Sequence, residues 1–250
     1  MDKRSIIKRA DLQTESVSPE DLAKINQYTL KELSADEVFV FKAIAGDNHL
    51  DDRNFEPFSA KAIDDMVEKY PGQPLMFDHN HRDGCDSIVG RVFDAYTEDM
   101  PEKNADGEPV RQLILKMYML RSDKNENLIR EIEAGIRSSV STATCPEKLV
   151  CSVCGTDNMQ DYCHHWPGKT YDGKLCTFKI DGVKYAQELS FVYAGAQPRA
   201  RTIKAFNPDL PDLEYKKETN KVQEDSKLEE LMLDTELFLM AETAEGENDE

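Results

Sequence analysis

Glu37-Val38-Phe39-Val40-Phe41-Lys42-Ala43-Ile44 is a run of β-branched and aromatic residues closed by Gly46-Asp47-Asn48, and it reads as a strand. Downstream of it, residues 59–70 carry Ala60, Ile63, Met66 and Val67 at helical spacing, with Ser59 as the cap and Pro71-Gly72 as the stop. Pro74-Leu75-Met76-Phe77 is a short apolar strand that runs into Asp78-His79-Asn80-His81. Residues 88–96 and 112–120 read as two further strands joined by a polar loop, residues 99–108. A helix is predicted over 123–136, with Leu128, Ile129, Ile132 and Ile136 on one face. Ser138-Ser139-Val140-Ser141-Thr142-Ala143-Thr144 is a strand of small and β-branched residues, and residues 177–180 and 188–193 are strand-like. Strands and helices mix without a repeating βαβ pattern, so the fold class is α+β.

The flanks differ from this centre. Residues 1–35 form a polar extension with one weak helix near 19–33, where Ser18-Pro19 gives a cap and a proline at the first helical position. Beyond 208 the chain turns acidic: residues 211–250 hold 14 Asp+Glu and 4 Lys+Arg, a net of −10 out of −18 for the chain. This predicts an acidic, largely disordered tail over 208–250. Within it, residues 226–240 carry Leu228, Leu231, Met232, Leu233, Leu237, Phe238 and Leu239, the pattern of an amphipathic helix for a partner. The folded domain is then 36–207.

Composition narrows the function. With 250 residues, 39% hydrophobic and 32% charged, part of the chain is expected to pack no core. A pI near 4.7 argues against non-specific nucleic-acid binding and against docking on anionic lipid, although Lys169, Lys174, Lys179 and Lys184 form a local basic group. No run of 18 apolar residues spans a membrane, and the first residues lack the apolar core of a secretory signal. A reducing compartment is expected, so the six cysteines are thiols or metal ligands before they are disulfides.

Residues 145–176 are a Cys/His/Gly-rich insertion. Cys151-Ser152-Val153-Cys154 is followed, after eight intervening residues, by Cys163-His164-His165. Two thiolates on a tight turn and a second sulfur/nitrogen pair give the tetrahedral set that zinc prefers, with Gly155 allowing the backbone to turn. The expected ligands are Cys151, Cys154, Cys163 and His165, with His164 and Cys176 as alternatives for the fourth position. Four filled positions would make the zinc structural, supplying the folding energy of a loop too short for a core. The competing readings are free thiols or a redox CxxC, and Cys85 and Cys145 lie outside the cluster.

Three further elements could build a hydrolytic site: Asp78-His79 after an apolar strand, Val140-Ser141 within one, and Glu188 at the start of another. Spacing alone makes this a weak signal. The ordered set, however, resembles the prohead (capsid maturation) serine proteases of tailed bacteriophages, which share a fold with the herpesvirus assemblins. The matching segments are Pro74 to His79 with Ile88-Val89-Gly90-Arg91-Val92, then Gly135-Ile136 with residues 139–144, then Glu188-Leu189-Ser190-Phe191-Val192 with Ala194-Gly195-Ala196-Gln197 and Ala200. The resemblance covers residues 37–205. Some members also carry a CxxC…CxH insertion at the same place.

The resemblance implies an assemblin-like β-barrel core with surrounding helices. It also implies a serine endopeptidase with Ser141 as nucleophile, His79 as general base and Glu188 as the third member, where assemblins use a second His. Ser139 is the rival nucleophile and His81 the rival base. Arg199 or Arg201 is the expected aid to the oxyanion. The implied substrates are the phage major capsid protein, the scaffold and the protease itself, inside the assembling prohead in the host cytoplasm, with the enzyme a homo-oligomer. Nucleic acid and membrane are not expected partners. The alternatives are a zinc-stabilised protein-binding module and a non-enzymatic capsid-assembly scaffold.

Overall fold

The structure is a computed structural model, and it describes residues 17–50, 52–82 and 84–203. The chain divides into two units, Met1–Asn207 and Pro208–Glu250. The expected acidic tail over 208–250, the helix expected at 226–240 and residues 1–16 lie outside the described residues.

The elements in chain order are α1 (Pro19–Asn26), β1 (Val38–Asp47), α2 (Ala60–Lys69), β2 (Pro74–Phe77), β3 (Gly90–Lys103), β4 (Pro109–Leu120), α3 (Glu126–Glu133) and β5 (Val140–Pro146). They continue with β6 (Leu149–Cys151), β7 (Thr170–Tyr171), β8 (Lys174–Leu175), β9 (Phe178–Ile180), β10 (Val183–Phe191) and β11 (Arg201–Ile203). Seven strands make one sheet in the order β11-β1-β4-β3-β2-β10-β5, while β6–β9 and β7–β8 form two small ladders. Within the large sheet β2 and β10 are parallel and the other neighbours antiparallel.

Alternation along β1 decides how the layers form. Phe39, Phe41, Ala43 and Ala45 are buried in the main core, with Leu75, Val92, Met117, Leu189 and Phe191. Val38 and Val40 point the other way and pack with Ile25 and Leu22 of α1. The helix α2 buries Ile63 and Met66 of its expected apolar face together with Ala62, while Ala60 and Val67 are half-buried, and its cap forms as expected, with Ser59 Oγ accepting from the Ala62 N–H at 3.0 Å. Phe41 and Phe191 stack at 6.0 Å between centroids and tie the centre of the sheet to β10.

Several expectations are corrected here. The sheet is not a closed barrel. Among the described residues its edges meet at one bridge, Ser139 to Arg201, flanked by Val140 N–H to Ala200 O at 3.2 Å and Thr202 N–H to Ser138 O at 2.7 Å. The first helix stops at Asn26, whose side chain binds both the N–H and the carbonyl of Leu33 and holds 27–33 as a loop. Residues 97–103 continue β3, because the real turn lies at Asn104, whose Oδ1 accepts from the Asp106 and Glu108 N–H groups. The third helix ends at Glu133, and Ile136, placed by spacing on its apolar face, is 73% exposed. The last long strand starts at Val183, five residues earlier than its apolar run. Among the described residues no helix is long and apolar enough to cross a membrane.

Candidate active site and metal centre

The register of β10 assembles the site. Leu189 and Phe191 face the core, so Glu188 and Ser190 face the opposite side of the strand. Ser190 lies directly across the antiparallel ladder from Ser141 of β5, which puts the two side chains on one face. A register shift between Ala186 and Glu188 bulges the strand just before the carboxylate. Tyr70 clamps this point from α2: its buried hydroxyl reaches Ala143 O at 3.2 Å and Glu188 O at 3.3 Å. Burial, and then the charge of Glu188, hold the Tyr70 phenol well above its usual range, so it stays a proton donor.

On the other flank, β2 runs parallel to β10 and delivers His79. Asp78 extends the pairing through its N–H to Phe191 O at 2.9 Å. The chain then turns through Asp78 and His79, both left-handed at φ 47° and 51°. For residues other than glycine this conformation is uncommon and recurs at functional sites. It is held here by the His79 backbone N–H donating to Ser190 Oγ at 3.1 Å.

The side chains form a chain of charge-assisted contacts. His79 Nδ1–H donates to Glu188 Oε1 at 2.5 Å, and the Ser190 hydroxyl donates to Glu188 Oε2 at 2.5 Å. Glu188 is completely buried, so both of its carboxylate oxygens are satisfied inside the protein. With Nδ1 engaged, Nε2 is left as the basic nitrogen of the ring. The Glu188 hydrogen bond raises the His79 pKa above 6.5 against an opposing effect of burial, and the charges of Glu188 and Asp78 add to the rise.

His79 and Ser141 line one cavity of about 280 Å³, with Thr142, Ala143, Thr144, Gln187, Ala196, Gln197 and a segment before α2 making the rest of its wall. Among the described residues, the Ser141 hydroxyl and the His79 imidazole share this cavity without a direct hydrogen bond. Of the rival pairs, His81 is exposed, and Ser139 is held in the bridge to Arg201; neither lines the cavity. Arg199 is drawn by two contacts to the buried Asp47, at 2.5 and 3.0 Å, and neither it nor Arg201 lines the cavity.

The turn after β10 passes close to β5. A Cβ on Gly195 would come within 2.6 Å of Val140 O, so this position requires glycine. Arg53 fixes the turn, with Nη1 donating to Gly195 O at 2.8 Å and its N–H to Ala196 O at 2.9 Å.

No protein family, curated protein or solved structure matches the chain. The site therefore rests on its own geometry.

The insertion brings together the four ligands expected of it. One donor atom from each of Cys151, Cys154, Cys163 and His165 lies within 4.8 Å of the others, a cluster that could hold a metal ion. Cys151 Sγ stands 3.8 Å from His165 Nδ1. Sulfur ligands at Zn–S distances near 2.3 Å would themselves sit roughly 3.8 Å apart on a tetrahedron, so the donor set fits zinc in size and in chemistry. The knuckle folds as CxxC motifs do, with the Gly155 N–H on Cys151 O at 2.9 Å. Thr156 beside the sulfur lowers the Cys154 thiol to about 6, toward the thiolate that a metal binds. Of the two alternatives, His164 turns out against Tyr162, while Cys176 is fully buried 3.9 Å from Cys151 Sγ as a neighbour of the cluster. None of Cys145, Cys151, Cys154, Cys163 or Cys176 is in a disulfide.

Sequence reading missed two residues of the site. Ser190 was legible only as part of a strand, and Tyr70 only as the last residue of a helix. Both act through hydrogen bonds across 111 and 118 positions of sequence, which local periodicity does not carry.

Proposed function

We propose that the protein is a serine endopeptidase of the prohead-maturation type. The observation that carries this reading is the Glu188–His79 hydrogen bond at the wall of a cavity shared with Ser141. Ser141 Oγ attacks the peptide carbonyl while His79 Nε2 takes its proton. Glu188 keeps the ring in the Nδ1–H tautomer and stabilises the imidazolium, without taking the proton itself. The imidazolium then protonates the leaving amine, and water, activated by the same nitrogen, releases the acyl group. β5 ends the sheet order, so the free edge beside Ser141 to Thr144 offers main-chain groups to an extended peptide.

The metal centre is read as structural zinc on Cys151, Cys154, Cys163 and His165, with no part in proton transfer. The substrates would be the phage major capsid protein, its scaffold and the chain itself, cut within the prohead in the infected cell by an oligomer of this chain. Co-expression of the full chain with capsid and scaffold proteins tests this. Trimming of both, lost in Ser141→Ala and retained in Ser139→Ala, is the expected result; trimming that persists in Ser141→Ala removes the reading.

A second reading, a protein-binding module, draws on the exposed Tyr162 and Trp166 of the insertion. It predicts partner capture that Ser141→Ala leaves intact and no cleavage by the wild type.

A further inference from the structure

The cavity has a second wall that acyl transfer does not use. Asp52, Asn54, Glu56 and Phe58 of the segment before α2 line it. The strand β9, paired with β6 of the metal insertion, is hydrogen-bonded to this segment. Phe178 N–H donates to Phe55 O at 2.8 Å, Ile180 N–H to Pro57 O at 2.9 Å, and Ser59 N–H to Ile180 O at 2.9 Å. Phe55 is left-handed at φ 60°, and its ring lies against Gly168, where a Cβ would come within 2.7 Å of it. Phe55 thus packs on the insertion, while Asn54 and Glu56 on either side of it line the cavity.

The two carboxylates on this wall differ. Asp52 is buried and fully engaged: Oδ1 accepts from the Asn54 N–H at 2.8 Å and the Glu56 N–H at 3.1 Å, and Oδ2 from Gln197 Nε2 at 2.9 Å. It shapes the segment and has little left to offer a ligand. The Glu56 carboxylate has no hydrogen bond or ion pair among the described residues, and burial followed by the charge of Asp52 raises its pKa. Among the described residues no lysine or arginine lines the cavity, while Ala45, Phe58, Ile180 and Ala200 give it an apolar surface. A long aliphatic stem ending in a cation satisfies both features: its methylenes cover the apolar lining and its charge meets the unpaired carboxylate.

We infer that Glu56 is the specificity-determining residue for a lysine or arginine side chain of the substrate, seated beside the scissile bond. This inference rests on the endopeptidase reading, and its test separates the two. The full chain is incubated with a proteome-derived peptide library, and cleavage sites are read by mass spectrometry. The expected result is enrichment of Lys and Arg at one fixed position from the cut. That enrichment should fall about tenfold in Glu56→Gln and give way to Asp and Glu in Glu56→Lys. Cleavage with no basic preference, or a preference that survives Glu56→Gln, overturns the inference.

A binding arm is independent of turnover. Agmatine is titrated into full-length Ser141→Ala and followed by NMR. Saturable binding, at least about tenfold weaker when Glu56→Gln is added, is expected at an unchanged melting temperature. Equal binding by both variants, or none, overturns the inference. Glu56-dependent agmatine binding by a chain whose wild type cleaves nothing leaves the Glu56 site standing and removes the endopeptidase reading.

Discussion

Ser190 donates its hydroxyl to Glu188 Oε2 and accepts the backbone N–H of His79 through the same oxygen, so one buried serine orients both members of the base. It also faces Ser141 across the ladder. Removing that hydroxyl by Ser190→Ala leaves a buried carboxylate oxygen without a partner. A loss of about 1–3 kcal/mol in denaturant unfolding is expected, together with a fall in kcat that exceeds any change in KM.

The base sets the pH dependence. His79 is raised above 6.5 by Glu188, and under the proposed mechanism it would have to be neutral to accept the Ser141 proton. Cleavage is therefore expected to rise with pH through an apparent pKa above 6.5. Stability runs the other way: the contribution from the raised pKa is complete below about 6.5 and is lost as pH climbs through the folded value. Glu188→Gln removes the cause of the rise, so the limb of the pH–rate profile should move to lower pH while kcat drops. A limb that stays in place would separate His79 from the chemistry.

The metal should hold more than its own loop. Full-length protein purified without chelator is expected to contain about one equivalent of zinc by elemental analysis. Cys163→Ser, or a strong chelator, should remove it. Hydrogen exchange should then speed up over residues 149–151 and 178–180 and also over 55–59, since these segments share the Phe178–Phe55 and Ile180–Pro57 hydrogen bonds. Cys145→Ser should leave metal content and exchange unchanged.

The close passage at Gly195 gives a steric prediction. Gly195→Ala forces a methyl group toward Val140 O, at 2.6 Å in the present backbone. The strand next to Ser141 must shift, with an expected cost of about 1–3 kcal/mol in unfolding experiments and a loss of cleavage larger than stability alone explains.

Much of this molecule can be read from local pattern, and the remainder cannot for identifiable reasons. The strand read over 37–44 and the capped helix read over 59–70 follow from β-branched and aromatic residues, helical spacing and a serine cap; the helix forms at 60–69, and the strand forms but runs on past its expected stop at Gly46 to Asp47. The metal ligands are legible because a chelating loop encodes its geometry in close spacing. The sheet order is not legible. The parallel pairing of β2 with β10 joins Leu75 to Leu189, and nothing near either residue announces the other. The same distance hides Ser190 and Tyr70. Ile136 shows the opposite failure: it sits on the apolar face of the spacing, yet the helix has ended before it.

Reaction of the full chain with a fluorophosphonate, read by peptide mass spectrometry, tests the central claim most directly. One adduct per chain is expected on Ser141 and none on Ser139, at a rate that falls at least about a hundredfold in His79→Ala. Absence of labelling, an adduct on another serine, or labelling of Ser141 at the same rate in His79→Ala would contradict it.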